Sequence, residues 1–150
     1  MIKKLFRKLF GYHPYDIMSF RETMDLTDMP IVTFYQGDKK FHFLLDTGSN
    51  KSIIDSSILN KVEHGEEKSE ASLFGLDGVK REVKACEITF SYKDKEFSYD
   101  YIITDMSAPF GEVKKSTGAE LNGILGALFF KKFRYILDFD SLIAYSKGKR

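Results

Sequence analysis

Several residue types and patterns are scarce in this chain of 150 residues, and their scarcity argues against whole classes of protein. Cys86 is the single cysteine, so no internal disulfide can form, and the three histidines are scattered without the spacing of a zinc site. We therefore predict a buried Cys86 and no metal or cofactor. The formal net charge of +1 leaves no strong field, which argues against nucleic acid as a partner.

Long apolar runs are also missing from the chain. No stretch approaches the roughly 20 apolar residues needed to span a bilayer. Arg7 and Lys8 interrupt the apolar residues near the N-terminus, where the core of a secretion signal would lie. The sequence therefore predicts neither a membrane span nor a secretion signal, and it favours a cytoplasmic location.

The first ten residues have the pattern of a short basic amphipathic helix. Its apolar positions, which recur at helical spacing opposite four basic residues, are Ile2, Leu5, Phe6, Leu9 and Phe10. The favoured interpretation is a frayed or self-packed terminal helix, and the alternative is weak contact of residues 1–10 with an anionic membrane surface, which would make the protein peripheral there. We divide the chain into a basic N-terminal extension (1–16), one domain (17–146) and a basic tail (147–150).

From about Ile17 onward, short extended segments alternate with turn residues, which is typical of an all-β barrel or sandwich. Four hairpins are predicted, and their paired segments are 30–35 with 41–45, 71–74 with 79–83, 87–92 with 97–103, and 135–139 with 142–145. One or two helical turns are expected at 56–62, starting from an Asp55 or Ser56 cap, and a short helix at 127–133. The stretch 106–120 carries Pro109, Gly111 and Gly118 without periodicity, so it is predicted to be a long surface loop.

One carboxylate stands at the end of a buried apolar run: residues 43–49 read FLLDTGS, with Asp46 at the centre. An Asp-Thr-Gly triplet often does no more than cap a turn through the aspartate side chain. An embedded carboxylate, however, is costly unless it is hydrogen-bonded or protonated. The apolar lead-in therefore favours a functional role for Asp46.

A second motif lies far along the chain, where Ile124 and Leu125 precede Gly126 just before the predicted short helix. With the glycine-bearing loop at 74–78 between them, the two motifs resemble the retropepsin-like aspartic protease family. Its pattern is an apolar strand ending in Asp-Thr-Gly-Ser, a flap hairpin, and an aliphatic-aliphatic-Gly segment leading into a helix. The resemblance covers about Ile17 to Tyr145. It implies an all-β, retropepsin-like acid protease barrel with a flap hairpin and one short C-terminal helix.

The same resemblance implies a role for each motif residue. Asp46 would be the catalytic half of a carboxylate dyad whose other half comes from a second chain, so the active form would be a homodimer that cuts a protein or peptide substrate. Thr47 would lock the two active-site loops together, Gly48 would leave space for the backbone, and Ser49 would hydrogen-bond the outer carboxylate oxygen. Ile124, Leu125 and Gly126 would pack under the active loop. The flap residues would close over the peptide: Phe74, Gly75, Leu76, Asp77 and Gly78.

Two positions depart from the family pattern. Retroviral members usually carry an Asp two positions after the Gly of the triplet and an Arg directly after the glycine of the second motif. Here these positions hold Asn50 and Ala127, so the ion pair is lost from both sides. Two main functions remain open: an aspartic endopeptidase, and a catalytically silent protease-fold module that serves peptide binding or dimerisation. A third, minor one is a membrane-surface protein in which the basic N-terminal helix, and not Asp46, carries the function.

Overall fold

The computed structural model describes residues 16–73 and 78–146, which fold mainly into β-strands. The strands are β1 (Ile17–Ser19), β2 (Ile31–Gln36), β3 (Lys39–Leu45), β4 (Ile53–Asp55), β5 (Lys68–Leu73), β6 (Lys80–Tyr92), β7 (Lys95–Thr104), β8 (Gly123–Leu125), β9 (Tyr135–Asp138) and β10 (Ile143–Ser146). The helices are α1 (Arg21–Thr27), α2 (Ser107–Thr117) and α3 (Ala127–Phe133), with a 3-10 helix at Ser56–Lys61. The predicted N-terminal helix, the flap-tip residues 74–77 and the tail 147–150 lie outside the described residues.

Six strands close into a barrel in the order β2, β3, β8, β4, β7, β6. Tyr35 pairs with Ser91 and joins β2 back to β6, while β5 extends the described sheet beyond β6. Along β3, Phe41, Phe43 and Leu45 are buried and alternate with more exposed residues, because successive side chains of a strand point to opposite faces. The all-β barrel predicted from this alternation is confirmed. A smaller sheet holds β1, β10 and β9.

The short strand β8 lies between β3 and β4, the two strands that segment 46–52 joins. It runs parallel to β3, where Leu45 pairs with Leu125, and antiparallel to β4, where Ile53 pairs with Ile124. Segment 46–52 therefore crosses over the end of β8. This arrangement brings the two sequence motifs, which are distant in the chain, to one place in the fold.

Three of the predicted hairpins are present in full, as β2–β3, β6–β7 and β9–β10. The first turns at Gly37 with a φ of 63°, and the second at Lys93 with a φ of 54°. The fourth hairpin, β5–β6, has the predicted pairing as far as Leu73 opposite Lys80. Beyond residues 74–77, the described chain resumes at Gly78, which is exposed and has a φ of 71°.

The prediction of a surface loop over 106–120 was wrong, because residues Ser107–Thr117 form α2. Pro109 is the third residue of that helix, in the first turn, where a backbone N–H has no intrahelical partner to lose. Gly118 ends the helix in the left-handed conformation with a φ of 79°, and its N–H donates to the carbonyl of Lys114 at 2.8 Å. The residues that suggested a loop thus mark the two ends of a helix.

Helix α1 was also missed, since extended segments were expected from Ile17 onward. None of its seven residues is fully buried, so it lacks the apolar stripe that reveals a helix in a sequence. The predicted helical turns at 56–62 and the helix at 127–133 are confirmed. None of the helices in the described ranges is long and apolar enough to cross a membrane.

Aromatic rings fill the barrel. Phe34 stacks on Phe97 with ring centroids 5.5 Å apart, and Phe129 of α3 lies 5.5 Å from Phe97. Cys86 is fully buried here, as predicted. Tyr101 is also fully buried, and its hydroxyl has no hydrogen-bond partner among the described residues.

A second apolar cluster lies on the outer face of the barrel, beneath α2. Its buried members are Ile31, Phe110 and Leu121, with Phe110 supplied by the helix. Half-buried apolar residues pack around these three: Met29, Leu44, Met106, Val113, Ala119 and Ile124. Helix α2 is therefore part of the packed fold, and it covers one side of the β2–β3–β8 surface.

Candidate active site

Asp46 follows the last residue of β3 and continues its ladder. The backbone N–H of Asp46 donates to the carbonyl of Leu125 in β8 at 2.9 Å, so the main chain at this position is fixed to the second motif. The aspartate is half-buried, whereas Thr47 and Gly48 are exposed. The carboxylate is thus held by a rigid strand end at the surface of the barrel.

A tight turn follows, and the carboxylate itself shapes it. The N–H of Gly48 donates to Oδ1 of Asp46 at 2.9 Å, and the N–H of Ser49 donates to the Asp46 carbonyl at 3.2 Å. The Ser49 hydroxyl donates to the carbonyl of Lys51 at 2.7 Å. In the single chain the Ser49 hydroxyl therefore bonds Lys51 and not, as had been predicted, the Asp46 carboxylate, and the N–H of Gly48 is the donor to Oδ1.

The start of α3 is built against this turn. The N–H of Ala127 donates to the Ser49 carbonyl at 2.8 Å, and the N–H of Leu128 donates to the Asn50 carbonyl at 3.1 Å. The first N–H groups of a helix have no partner inside it, so these bonds satisfy them. They also join the loop and the helix at the two positions, Asn50 and Ala127, that lack the ion pair of retroviral members.

Gly126 lies directly beneath the loop. A Cβ added there would lie 2.4 Å from the carbonyl oxygen of Lys51 and 2.8 Å from that of Asn50. Its φ of −88° is open to any residue, so the requirement for glycine is one of space and not of conformation. The loop that carries Asp46 can sit this low only because residue 126 has no side chain.

Ser52 is a member of the site that sequence reasoning did not single out. Its side chain is fully buried, and its Oγ accepts the N–H of Gly126 at 2.9 Å. It therefore pins the end of the Asp46 loop to the second motif. The available signal was a small hydroxyl residue at the start of an apolar strand, next to a motif that contains a glycine.

The other residues of the second motif divide between the two faces of β8. Leu125 is fully buried in the aromatic core, whereas Ile124 is half-buried on the outer face. Gly123, one residue before it, is also enclosed, since an added Cβ would meet the Phe43 ring at 2.4 Å and the Ile53 carbonyl at 2.6 Å. Both glycines of the segment are thus needed for β8 to fit between β3 and β4.

The β5–β6 hairpin is tied to the same loop at its base. Nζ of Lys51 lies 2.9 Å from Oε1 of Glu70 on β5, in a partly exposed ion pair. Of the predicted flap residues, Phe74, Gly75, Leu76 and Asp77 lie outside the described residues, and Gly78 is described at the far end of the hairpin. The described part of the hairpin therefore begins beside the Asp46 loop.

Two other carboxylates deserve comparison with Asp46, and both have structural partners. Oδ1 of Asp138 accepts the N–H groups of Ser141 and Asp140, each at 3.0 Å, and the hydrogen bond from the backbone N–H of Ser141 is the main cause of the lowered pKa of this carboxyl. Asp55 accepts the N–H of Met106 at 2.8 Å and the hydroxyl of Ser57. Asp138 thus caps a turn, and Asp55 joins the end of β4 to the start of α2.

Neither a comparison with protein-family models nor one with curated proteins gave a match to this chain. Among solved structures, the chain is similar to the EIAV protease in its complex with the inhibitor HBY-793, with a TM-score of 0.54. The two sequences are 18% identical, and the match covers 74% of this chain and 93% of that one. A likeness at this identity shows the fold. The protein therefore has the retropepsin-like acid protease fold that its sequence predicted.

Proposed function

We propose that the protein is an aspartic endopeptidase that works as a homodimer, with Asp46 of each chain as the two catalytic carboxylates. The observation that carries the proposal is the clamp on Asp46, whose backbone is bonded to Leu125 and whose loop rests on Gly126. Such a clamp holds a carboxylate at a fixed position, which a catalytic group requires and a turn cap does not. The likeness in fold to a retroviral protease supports the same assignment.

The chemistry follows from two like groups at close range. Two carboxyls a few ångströms apart hold one proton between them, because both do not ionise cheaply side by side. The ionised group takes a proton from water as that water attacks the peptide carbonyl, while the protonated group donates to the carbonyl oxygen. The first carboxyl then gives the proton it took from water to the leaving amine, while the second takes one back from a hydroxyl of the intermediate. The peptide bond breaks, and the pair again holds one proton. Thr47, which is exposed beside Asp46, is proposed to bind across the dimer axis.

The direct test is incubation of the protein with a diverse peptide library at mildly acidic pH, with and without a transition-state inhibitor of aspartic proteases. We expect cleavage that the inhibitor blocks, with a bell-shaped dependence on pH. Asp46→Asn should abolish turnover while the fold persists, and Asp38→Asn in the exposed β2–β3 turn is the matched control, which should keep it. Activity in the Asp46→Asn protein would refute the assignment.

The two-chain requirement has its own test. Equal amounts of wild-type and Asp46→Asn chains, allowed to exchange, should leave about one quarter of the wild-type activity per dimer, since random pairing makes intact dimers in that share. Simple dilution would leave about one half. Sedimentation and the peptide assay, run over the same concentration series, should show cleavage per chain rising with the fraction of dimer. Full activity from a strict monomer would contradict the mechanism.

A catalytically silent module for peptide binding or dimerisation is the second candidate, and one observation favours it. Asp46 is the one Asp-Thr-Gly aspartate in the sequence, so a single chain presents half of a dyad. A monomer that binds extended peptides without cutting them, and whose binding survives Asp46→Asn, would establish this function in place of the first.

The N-terminal extension is proposed to lie outside the catalytic unit, which residues 17–146 would form. Removal of residues 1–10 should leave folding and cleavage unchanged, and it should lower binding to anionic vesicles if those residues contact a membrane surface. Loss of folded protein on truncation would show that the extension belongs to the domain.

A further inference from the structure

The outer face of the barrel beside Asp46 carries a row of apolar side chains. Register partners lie on one face of a sheet, and Ile31 pairs with Leu44, Leu44 with Ile124, and Ile124 with Ile53. These four residues form what we call the apolar stripe. It crosses four neighbouring strands from β2 to β4, and its two central members, Leu44 and Ile124, are only half-buried.

The apolar stripe shares its face with the candidate catalytic carboxylate. Leu44 and Asp46 are two residues apart along one continuous ladder, so their side chains emerge on the same side, about 7 Å apart along the strand. Ile124 stands in the same relation to Gly126. A peptide whose reacting bond lies at Asp46 would therefore place a neighbouring side chain over Leu44 and Ile124.

Helix α2 stands along one end of the apolar stripe as a wall. Phe110 anchors it on Ile31 and Leu121. Met106, the residue just before the helix, and Val113, one turn after Phe110, pack on the same cluster. Both are half-buried, so each keeps surface to offer to a ligand. Methionine is flexible and polarizable, which suits contact with apolar groups of varied shape.

Hydrogen bonds hold both ends of helix α2 in place. The N–H of Met106 donates to Oδ1 of Asp55 at 2.8 Å, and Asp55 ends β4, the strand that leaves the Asp46 loop. At the other end, Gly118 closes the helix, and the Thr117 hydroxyl donates to the Val113 carbonyl at 2.7 Å. The position of α2 is thus fixed relative to the candidate active site.

We infer that α2, together with Met106 at its N-terminal cap, is a specificity-determining element, in which Met106 and Val113 form one wall of a subsite for one large apolar side chain of the peptide next to the bond that is cut. This inference rests on the proposed function. It assigns to the helix a part in substrate selection, and the residues that bear it differ from those that carry the chemistry.

The test uses peptides based on the sequence that the wild-type protein cuts best, with alanine, leucine or phenylalanine beside the cleaved bond. Wild type should prefer leucine to alanine by about tenfold or more in kcat/KM, since even one methylene in a hydrophobic pocket is worth roughly 10–200-fold. Val113→Phe should lower the phenylalanine-to-alanine ratio by about tenfold or more. Val113→Ala and Met106→Ala, which remove bulk from the wall, should raise that ratio. Lys115→Ala, on the exposed side of the same helix, should leave it unchanged.

A second measurement separates the two proposals. Kd values are measured for a pair of statine-containing peptides that differ only in a leucine or alanine beside the statine. If wild type cuts peptides and the Val113 and Met106 variants keep its ratios, the role of α2 is refuted and the proposed function stands. If nothing is cut but the Kd ratio changes in those variants, catalysis is refuted and the subsite stands. Absence of both cleavage and binding overturns both.

Discussion

The substitution of Gly126 by alanine gives the sharpest test of how the candidate active site is built. The added methyl would lie 2.4 Å from the carbonyl oxygen of Lys51, 2.7 Å from its carbonyl carbon and 2.8 Å from the carbonyl oxygen of Asn50. All three are backbone atoms, so no side chain can rotate away. The loop from Ser49 to Ser52 would have to rise by several tenths of an ångström or more.

The magnitude follows from what that movement breaks. Overpacking of a tight interior costs about 1–3 kcal/mol. Displacement of the loop also weakens the bonds from Gly126 to Ser52 and from Ala127 to Ser49, and one buried N–H left unpaired costs about 1–3 kcal/mol. Together these give a loss of roughly 2–6 kcal/mol in the free energy of unfolding. For a domain of this size the expected drop in Tm is on the order of 5–20 °C.

The assay is urea and thermal unfolding of purified protein, with Gly111→Ala as the matched control. Gly111 lies within α2, and an added Cβ there would have open space around it. The same chemical change should therefore stabilise the protein by about 0.5–1 kcal/mol, because alanine favours a helix over glycine. If Gly126→Ala unfolds like wild type while Gly111→Ala behaves as expected, the argument that residue 126 must lack a side chain is wrong.

Three further outcomes are expected. Tyr101→Phe should raise the free energy of unfolding by up to about 1 kcal/mol in urea titration, because it removes a buried hydroxyl that has no partner among the described residues; a loss of stability would show that the hydroxyl is bonded. Ser52→Ala should cost about 1–3 kcal/mol in the same assay, since it leaves the buried N–H of Gly126 unpaired, and a neutral result would remove Ser52 from the site. Burial lowers the pKa of His42, so the folded state takes up fewer protons than the unfolded state, and the stability that is present above pH 6.5 falls as the pH drops below it. His42→Gln should therefore lose less stability than wild type between pH 8 and pH 5 in urea titration. Equal losses would refute the argument.

Local patterns in the sequence were sufficient to predict the hairpins and the end of β3 at Asp46, because the alternation of apolar and polar residues and the choice of turn residues depend on only a few neighbouring positions. They were not sufficient to predict α2, because Pro109 and Gly118 are equally compatible with a loop and with the first turn and the C-terminal end of a helix. The closure of the barrel through Tyr35 and Ser91 and the clamp of Ser52 on Gly126 join residues that are distant in the chain. Such contacts leave no periodic signal, so the motif order indicated only that the two segments belong together.

The position of β8 between β3 and β4 also determines when, during synthesis, the Asp46 loop can fold. Asp46 and its loop are synthesised long before Leu125 and Gly126, the residues on which that loop rests. Because loop closure over a long separation must precede those contacts, the loop can take its final shape only after the strand following α2 has been made. A nascent chain on the ribosome, or a fragment that stops before residue 123, would contain Asp46 without the residues of β8 and Gly126 that support its loop. A clamped Asp46 loop is therefore formed only after residue 126 has been added to the chain.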